Sequence, residues 1–265
     1  MKYPKLEKLV DIIAVLRSEN GCPWDREQTH SSLRPNMLEE AYEAVDAIDD
    51  GNIPNLREEL GDVLLQVILH SQIAKDNGEF DIEDVADELN KKLIHRHPHV
   101  FGNSHVNSSD EVVTAWDKLK REEKTDRKSI LDGISKSQSA LMTAQKISKK
   151  VVKVGFEWDS VESLKACINS EYKEFEEAVA TGDRDKMEDE MGDIFFATVN
   201  LARWYKIDSE QALIRANKKF MTRFKKMEEL KTKPFEEYSY EEFNNLWKRA
   251  KLELDNSSIN NQEIS

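Results

Sequence analysis

Pairs of acidic residues three positions apart are the part of this sequence best suited to chemistry. Glu40 and Glu43 form one pair, and Glu59 and Asp62 form a second pair nineteen residues further along. Residues three apart lie on one face of a helix, so two helices packed as a hairpin would bring the four carboxylates together. Four such groups repel one another unless cations neutralise them. Oxygen ligands suit hard cations, and a partly hydrated Mg²⁺ is the natural occupant.

The same arrangement recurs 131 positions later, where Glu171 and Glu174 match the first pair and Glu190 and Asp193 match the second. One acidic pair alone is more often part of a solvated helix face, above all in a chain with 52 acidic side chains. Two pairs at one separation, both duplicated at that separation, favour metal binding over a solvated face.

Basic and aromatic residues repeat as well. Each half carries a lysine and an arginine four residues apart, and a tryptophan and a lysine four residues apart. These pairs are Lys92 with Arg96, Lys219 with Arg223, Trp116 with Lys120, and Trp247 with Lys251. A lysine–arginine pair can hold phosphate oxygens, the arginine as a planar fork. The ordinary alternative is an exposed cationic strip, and the repetition favours binding. For the tryptophans, a base-stacking role and a place in the core both remain open.

Helices must position these residues, because the chain has only nine glycines and six prolines, and no run alternates with period two. The apolar spacing predicts helices at 4–18, 28–49, 54–76, 82–95, 109–123, 160–180, 184–205, 209–230 and 239–253. On the second of these, Met37, Ala41, Ala44, Val45 and Ile48 form a stripe expected to face the core. The run "VLLQVILHSQIA" after Asp62 is apolar on most of its circumference, which predicts a central helix.

The predicted fold is therefore all-α, with two tandem copies of one helical-bundle unit. Beyond the acidic pairs, "FDIEDVADELNKKLIHR" aligns with "IDSEQALIRANKKFMTR" at an offset of 127. We expect an N-terminal helical domain at 1–125, a C-terminal helical domain at 126–255 and a disordered polar tail at 256–265. Gly61 and Gly192 lie inside acidic helices, where glycine costs about 1 kcal/mol relative to alanine. We expect them to let a neighbouring helix or a ligand approach the backbone.

Composition excludes several classes of protein. The net charge of −13 argues against nucleic acid or an anionic membrane as a partner. No stretch approaches the roughly 20 apolar residues of a spanning helix, and the N-terminus lacks the pattern of a signal peptide. Cys22 and Cys167 form neither a zinc pattern nor a disulfide framework, which indicates a cytoplasmic protein. The "HRHPHVFG" histidines have no counterpart in the second copy, and Pro98 separates them, so a transition-metal site is not expected there.

Together these motifs resemble the MazG family of nucleoside triphosphate pyrophosphohydrolases, within the all-α NTP pyrophosphatase superfamily. That family carries an E-E-x-x-E … E-x-x-D motif, which the first copy matches as Glu39-Glu40-x-x-Glu43 … Glu59-x-x-Asp62. The blocks "CPWDREQTHSSL", "LREELGDVLLQV", "EDEMGD" and "FATVNLAR" extend the similarity over nearly the whole chain. One departure is Ser170, which stands where the second copy should have its leading glutamate.

The resemblance implies Mg²⁺-dependent hydrolysis of (d)NTPs to the monophosphate and diphosphate, with Mn²⁺ as a substitute ion, by a homodimer. It implies a broad nucleobase range and a role in cleansing the nucleotide pool or in stress-linked nucleotide control. The implied metal ligands are the eight paired acids and Glu39. The implied nucleotide contacts are Lys186, Lys219, Arg223, Trp247 and Lys251, with Lys92, Arg96, Trp116 and Lys120 in the first copy. The resemblance implies that the C-terminal copy is the active one. Because Ser170 replaces a glutamate of the motif in that copy, the N-terminal copy is a second candidate for the active one.

Two other functions remain open. One is a narrower pyrophosphohydrolase of the dCTP/dUTP or phosphoribosyl-ATP type, since those enzymes use similar acid clusters. The other is a non-catalytic acidic helical scaffold, which explains the repeated basic and aromatic pairs poorly.

Overall fold

The computed structural model describes residues 3–106, 108–123 and 128–262 of the chain. All the regular elements in these residues are helices, which confirms the all-α class. Contacts between Cα atoms group the chain into two units, Met1–Thr125 and Asp126–Ser265.

The first unit is organised around one long helix. Its elements are α1 (Pro4–Arg17), α2 (Pro23–Glu27), α3 (Arg34–Asp49), α4 (Ile53–Asp76), α5 (Ile82–Arg96), α6 (Pro98–Phe101) and α7 (Ser109–Glu122). The central helix α4 contacts α1, α3 and α5, and α5 contacts α7. Buried side chains of α1, α4 and the segment before α3 form the core, namely Ile13, Leu33, Ile68, Leu69 and Ile73.

The second unit repeats this plan. Its elements are α8 (Ala140–Val152), α9 (Val161–Thr181), α10 (Arg184–Trp204), α11 (Ser209–Leu230), a 3₁₀ turn (Phe235–Glu237) and α12 (Tyr240–Gln262). Here α10 is central and contacts α8, α9 and α11, while α11 contacts α12. The pairings of α4 with α1, α3 and α5, and of α5 with α7, thus each have a counterpart in the second unit, which confirms the tandem repeat.

The turn between the two acidic helices is also repeated. Gly51 has φ +63° and Gly182, 131 positions later, has φ +73°. Both angles lie in the left-handed region that glycine adopts without steric cost. The next residue caps the following helix in each unit, since Asn52 accepts a hydrogen bond from the Asn55 amide and Asp183 from the Lys186 amide. Local turn chemistry therefore builds the same hairpin twice.

The two central helices differ in length. α4 has 24 residues and α10 has 21. Corresponding residues of the two units are 131 positions apart up to the start of the central helix and 127 positions apart in the helix that follows it. The shorter α10 accounts for three of these four positions.

Two helix boundaries differ from the sequence prediction by more than one residue, and three helices, α2, α6 and α8, were not predicted. The helix expected at 28–49 begins only at Arg34, because Thr29 and Ser32 hold a turn by bonding each other's backbone amides. Helix α8 was missed, although Ser139 caps it by accepting from the Met142 amide. Helix α12 runs to Gln262 rather than 253, since no glycine or proline interrupts it. It thereby enters the segment 256–265, for which disorder in solution stays a prediction.

The apolar stripe on α3 is not buried as predicted. Ala44 is buried, but Met37 and Val45 are 37% exposed and Ile48 is 59% exposed. Within the unit, α3 meets α4 through small residues, and the larger apolar side chains point away from the core. No helix in the described part of the chain is long and apolar enough to cross a membrane.

Candidate functional site

Three carboxylates meet on the α3–α4 hairpin. Glu40 and Glu43 come from α3 and Glu59 comes from α4, and each offers an oxygen within 4.8 Å of those of the other two. Asp62, one turn after Glu59, lies outside this triad but close enough to act on Glu40 and Glu59 electrostatically. The packing of the hairpin thus gathers the acids that the sequence spacing selects.

The α9–α10 hairpin holds an equivalent group. Glu171, Glu174 and Glu190 form a triad with oxygens within the same 4.8 Å, and Asp193 acts on Glu190 from one turn further along α10. In both triads the second glutamate is exposed and the other two are half-buried. A ligand can therefore approach each triad from the solvent.

The acids raise one another's pKa values. Partial burial raises the pKa of Glu40, with further contributions from Asp62, Glu43 and Glu39. Burial also raises the pKa of Glu59, followed by the charges of Glu43 and Asp62. Burial is the larger cause of both shifts, and the neighbouring negative charges add to it; a divalent cation would offset that repulsion.

The second unit behaves in the same way. Burial raises the pKa of Glu190, and the charges of Glu174, Asp193 and Glu171 raise it further. Glu39, exposed beside the first triad, contributes to the raised pKa of Glu40 without joining that triad. The ligand set in both units consists of carboxylate oxygens only, which is the chemistry of a hard-cation site.

Two neutral side chains border the second triad. Ser170, at the position of Glu39, donates its hydroxyl to Glu174 Oε1 at 3.1 Å. Cys167, one turn earlier, donates its thiol to Glu171 Oε1 at 3.4 Å. Burial and the neighbouring acids, Glu171 foremost, raise the pKa of this thiol, which therefore stays protonated. Cys167 was not predicted to border the site, although its four-residue distance from Glu171 was a usable signal.

The basic and aromatic residues of the second unit lie on α11 and α12. The Arg223 guanidinium lies over the Trp247 ring, 5.7 Å from its centroid. Trp247 also packs against Phe220 and against the buried cluster of Met227, Leu246 and Ala250, so it is part of the edge of the core. Lys219, Lys251 and Lys186 have exposed side chains. Within the described residues, no recorded contact joins any of these groups to the acidic triad.

In the first unit the lysine–arginine pair that was predicted to hold phosphate is only partly accessible. Lys92 is exposed, but Arg96 is only 8% exposed. Its Nε donates to Glu123 Oε1 at 3.0 Å and to Oε2 at 3.1 Å, and its Nη2 also donates to Oε2. Arg96 and Lys120 both lie near the Trp116 ring, at 5.3 and 5.0 Å from its centroid. The arginine expected to face a ligand is thus paired within the chain.

The histidines after α5 do not converge on one point. His95 Nε2 is 3.8 Å from Glu123 Oε1, and His97 Nδ1 donates to the Leu93 carbonyl at 2.7 Å. The rings of His97 and His99 are tilted, with centroids 5.6 Å apart. They cap and follow the end of α5.

A second pair of histidines was not anticipated from the sequence. His30, before α3, and His70, on α4, have Nδ1 atoms 2.7 Å apart, ring planes within 2° and centroids 5.0 Å apart. That separation equals the Nδ1–Nδ1 distance plus the two ring radii, so the hydrogen bond lies in the plane of both rings. His70 Nε2 is buried without a partner. Burial and then His30 lower the pKa of His70. The residues are forty positions apart, and no motif links them.

Comparison with known proteins points to one family. The model of the "MazG nucleotide pyrophosphohydrolase domain" matches residues 28–101 and 159–227. The chain is 46% identical to the "Nucleoside triphosphate pyrophosphohydrolase/pyrophosphatase MazG" of Thermotoga maritima, over 92% of this chain and 95% of that protein. It is 43% identical to the "Nucleoside triphosphate pyrophosphohydrolase" of Escherichia coli K12, over 85% of this chain and 88% of that protein. A crystal structure of a mazG-related protein from Thermotoga maritima aligns with 43% of this chain and 98% of that one, at 29% identity and a TM-score of 0.38.

Proposed function

The chain belongs to the MazG family, whose domain model matches both of its halves, and we propose that it is a nucleoside triphosphate pyrophosphohydrolase that uses Mg²⁺. The reaction is the hydrolysis of a (d)NTP to the (d)NMP and diphosphate. The observation that carries the proposal is the pair of carboxylate triads built alike on two helical hairpins. Relatives that align along most of their length carry this activity in their names.

The donor set of each triad fits a hard divalent cation. The proposed ligands are Glu40, Glu43, Glu59 and Asp62, with Glu39 beside them, and Glu171, Glu174, Glu190 and Asp193. When bound there, Mg²⁺ would neutralise the triphosphate and make a water molecule more acidic. Mn²⁺ should substitute, because carboxylate oxygens suit it as well.

The chain's own residues supply the remaining steps. A glutamate with a raised pKa, Glu59 or Glu190, accepts the proton of the water that attacks the α-phosphorus. Lys219 and Arg223 hold the β- and γ-phosphates and stabilise the diphosphate that leaves, and Lys186 and Lys251 add positive charge. Trp247 fixes the plane of the Arg223 guanidinium, as the 5.7 Å separation supports. In the first unit, Lys92, Arg96, Trp116 and Lys120 are the corresponding set.

We also propose a homodimer, because each unit leaves apolar surface uncovered. Leu38, Tyr42 and Val45 follow one stripe of α3, and Leu60 and Leu64 lie on α4, all at least 37% exposed. The chain exposes 19665 Å² in total. Two separate compact halves of this 30.7 kDa chain would expose only about 14,000 Å². A second copy of the same hairpins would cover part of this exposed surface. A cytoplasmic location follows from the proposed substrates.

Acid-to-amide variants test the proposal. We expect Glu59→Gln with Glu190→Gln to lower diphosphate release more than about 100-fold, because even outer-shell partners of a metal cost about 10- to 100-fold. EDTA should abolish release from the wild type, and Mg²⁺ should restore it. Asp46→Asn and Glu176→Gln, at exposed positions on α3 and α9 of the same two hairpins, are the matched controls. Full activity in the double variant, or in EDTA, would rule out the metal mechanism.

A substrate panel separates the open alternatives. Turnover of all common NTPs and dNTPs supports the broad enzyme. Turnover confined to dCTP and dUTP, or to phosphoribosyl-ATP, would replace it with a narrower one. Mg²⁺ binding without turnover of any of these would leave the acidic scaffold.

A further inference from the structure

The two units build the same arginine–tryptophan stack. Arg96 at the end of α5 lies 5.3 Å from the Trp116 ring centroid, and Arg223 on α11 lies 5.7 Å from the Trp247 centroid. The two guanidinium groups thus lie over a tryptophan ring at similar distances. Each guanidinium carries N–H donors along its edges, and these can bind oxygen atoms.

What binds those edges differs between the units. In the first, Glu123 accepts from Nε and Nη2 of Arg96, so the carboxylate takes the side of the guanidinium that forms a bidentate pair. The residue 131 positions after Glu123 is Leu254, which offers no charge. Among the residues described, no carboxylate is recorded as a partner of Arg223. The replacement of Glu123 by Leu254 therefore distinguishes Arg96, which is paired with a carboxylate, from Arg223, for which no such pair is seen among the described residues.

A carboxylate and a phosphate compete for the same donors. Both accept two parallel hydrogen bonds from a guanidinium, and both are held in that geometry with similar specificity. The pair is sheltered, because the Arg96 side chain is 8% exposed and that of Glu123 is 25% exposed. A phosphate could reach the Nε–Nη2 edge of Arg96 only after Glu123 leaves, and it would meet the negative charge of Glu123 on approach.

We propose that Glu123 is an internal competitor that occupies the phosphate-binding edge of Arg96 and so gives the N-terminal unit a lower affinity for triphosphates than the C-terminal unit. The inference rests on the proposed function, and it adds a residue that sets substrate affinity separately in each half. It is independent of the acidic triads, which are alike in the two units.

Binding of a non-hydrolysable analogue tests the inference. The probe is a dNTP with a methylene group between the α- and β-phosphates, titrated with Mg²⁺ into the full-length protein by calorimetry. Wild type should show one tight site per chain. Glu123→Gln, which keeps the shape and removes the charge, should strengthen the weak site at least tenfold. Glu123→Asp, which keeps the charge, should leave it weak. Equal affinities of both sites in wild type would overturn the inference.

A reciprocal variant keeps the test sound if Glu123→Gln unfolds the first unit. Leu254→Glu introduces a carboxylate at the position that corresponds to Glu123 and should weaken the tight site at least tenfold, whereas Leu254→Gln should not. Circular dichroism confirms that each variant is folded. If neither Glu123→Gln nor Leu254→Glu changes the affinities, Glu123 is a structural partner of Arg96 only, and the inference fails.

Hydrolysis distinguishes this failure from failure of the proposed function. In a Glu190→Gln background, diphosphate release depends on the first unit, and adding Glu123→Gln should lower its KM at least tenfold. Wild-type turnover together with an unchanged KM would overturn the inference alone. Absence of wild-type turnover with every NTP would overturn the proposed function, and the inference with it.

Discussion

The contribution of Glu190 and its counterpart Glu59 to folding stability depends on pH. Their pKa values are raised in the folded chain, so the folded state keeps a proton that the unfolded state loses. As pH rises above the ordinary glutamate value of 4.5, the unfolded chain ionises first, and folding stability is lost until the folded pKa is passed. A cation in the triad would offset that loss.

We therefore predict that Mg²⁺ stabilises the protein more at pH 7.5 than at pH 5. Protons compete with the ion for Glu59 and Glu190 at the lower pH, because their pKa values are raised, and they compete less at the higher pH. A concentration one hundred times the Kd should add about 2.7 kcal/mol of unfolding free energy. Thermal melts with and without Mg²⁺ measure the difference. Glu59→Gln with Glu190→Gln should lose most of the gain, and an equal gain at both pH values would contradict the model of paired acids and cation.

Gly61 and Gly192 are not explained by packing inside the chain. A Cβ at either position would have no atom within 4 Å, so the close helix expected there is absent from the described structure. A substrate or a second copy of the chain remains as the reason for the glycine.

Alanine at these two positions should separate stability from function. Because alanine favours a helix by about 1 kcal/mol over glycine, Gly61→Ala and Gly192→Ala should each stabilise the helix by nearly that amount. We expect turnover to fall at least tenfold in the unit that carries the change, since the methyl group enters space used by a bound partner. Urea unfolding and diphosphate release are the measurements. Lys173→Ala, at an exposed position on α9, serves as the control, and unchanged turnover in both glycine variants would remove any role for this space.

At the scale of elements, the α3–α4 hairpin of the first unit has a histidine–histidine hydrogen bond, here called the clasp, for which the second unit has no equivalent residues. The bond between His30 and His70 ties the segment before α3 to the middle of α4. His70 Nε2 is buried without a partner, and an unpaired lone pair costs less there than an unpaired N–H. His70 is therefore the donor through Nδ1, and His30 is the acceptor. Positions 161 and 201, which correspond in the second unit, hold valine and leucine.

This clasp predicts acid sensitivity in the first unit alone. The pKa of His70 is lowered, so below about pH 6.5 the unfolded chain takes up a proton that the folded chain refuses, and stability is lost as pH falls. Hydrogen exchange between pH 6.5 and 5, corrected for intrinsic rates, should show protection falling faster in α3 and α4 than in α9 and α10. His70→Leu, which copies Leu201, should remove the difference. Equal loss in both hairpins would contradict the prediction.

Sequence periodicity predicted the elements better than the contacts between them. Helix existence followed from apolar spacing, and the acidic triads followed from a three-residue spacing on two adjacent helices. The turn at 28–33 was missed because side chains of Thr29 and Ser32 replace the helical hydrogen bonds. The pairing of Arg96 with Glu123 was missed because it joins residues on either side of a helix and a loop, where no periodicity applies.

At the scale of the whole molecule, the exposed apolar surface predicts that folding depends on assembly. If copies of the hairpins cover one another, dissociation exposes surface that a single chain cannot bury. The midpoint of thermal unfolding should therefore rise with protein concentration between 0.1 and 100 µM, which are about the limits of scanning fluorimetry and calorimetry. Leu60→Glu, on the exposed side of α4, should yield a monomer by light scattering and abolish the dependence. A concentration-independent midpoint in wild type would exclude the dimer.

The unequal lengths of α4 and α10 bear on how this chain can gain or lose residues. Three of the four positions lost between the copies are lost from the central helix and one from the loop that follows it. Three residues are close to one turn of 3.6 residues, so their removal shortens the helix and turns its end by only about 60° from the original direction. A deletion of one or two residues from the same place would swing the following helix by about 100° or 200° and expose its apolar side. Length variation among chains of this kind should accordingly cluster at multiples of a turn, at the distal ends of the two central helices.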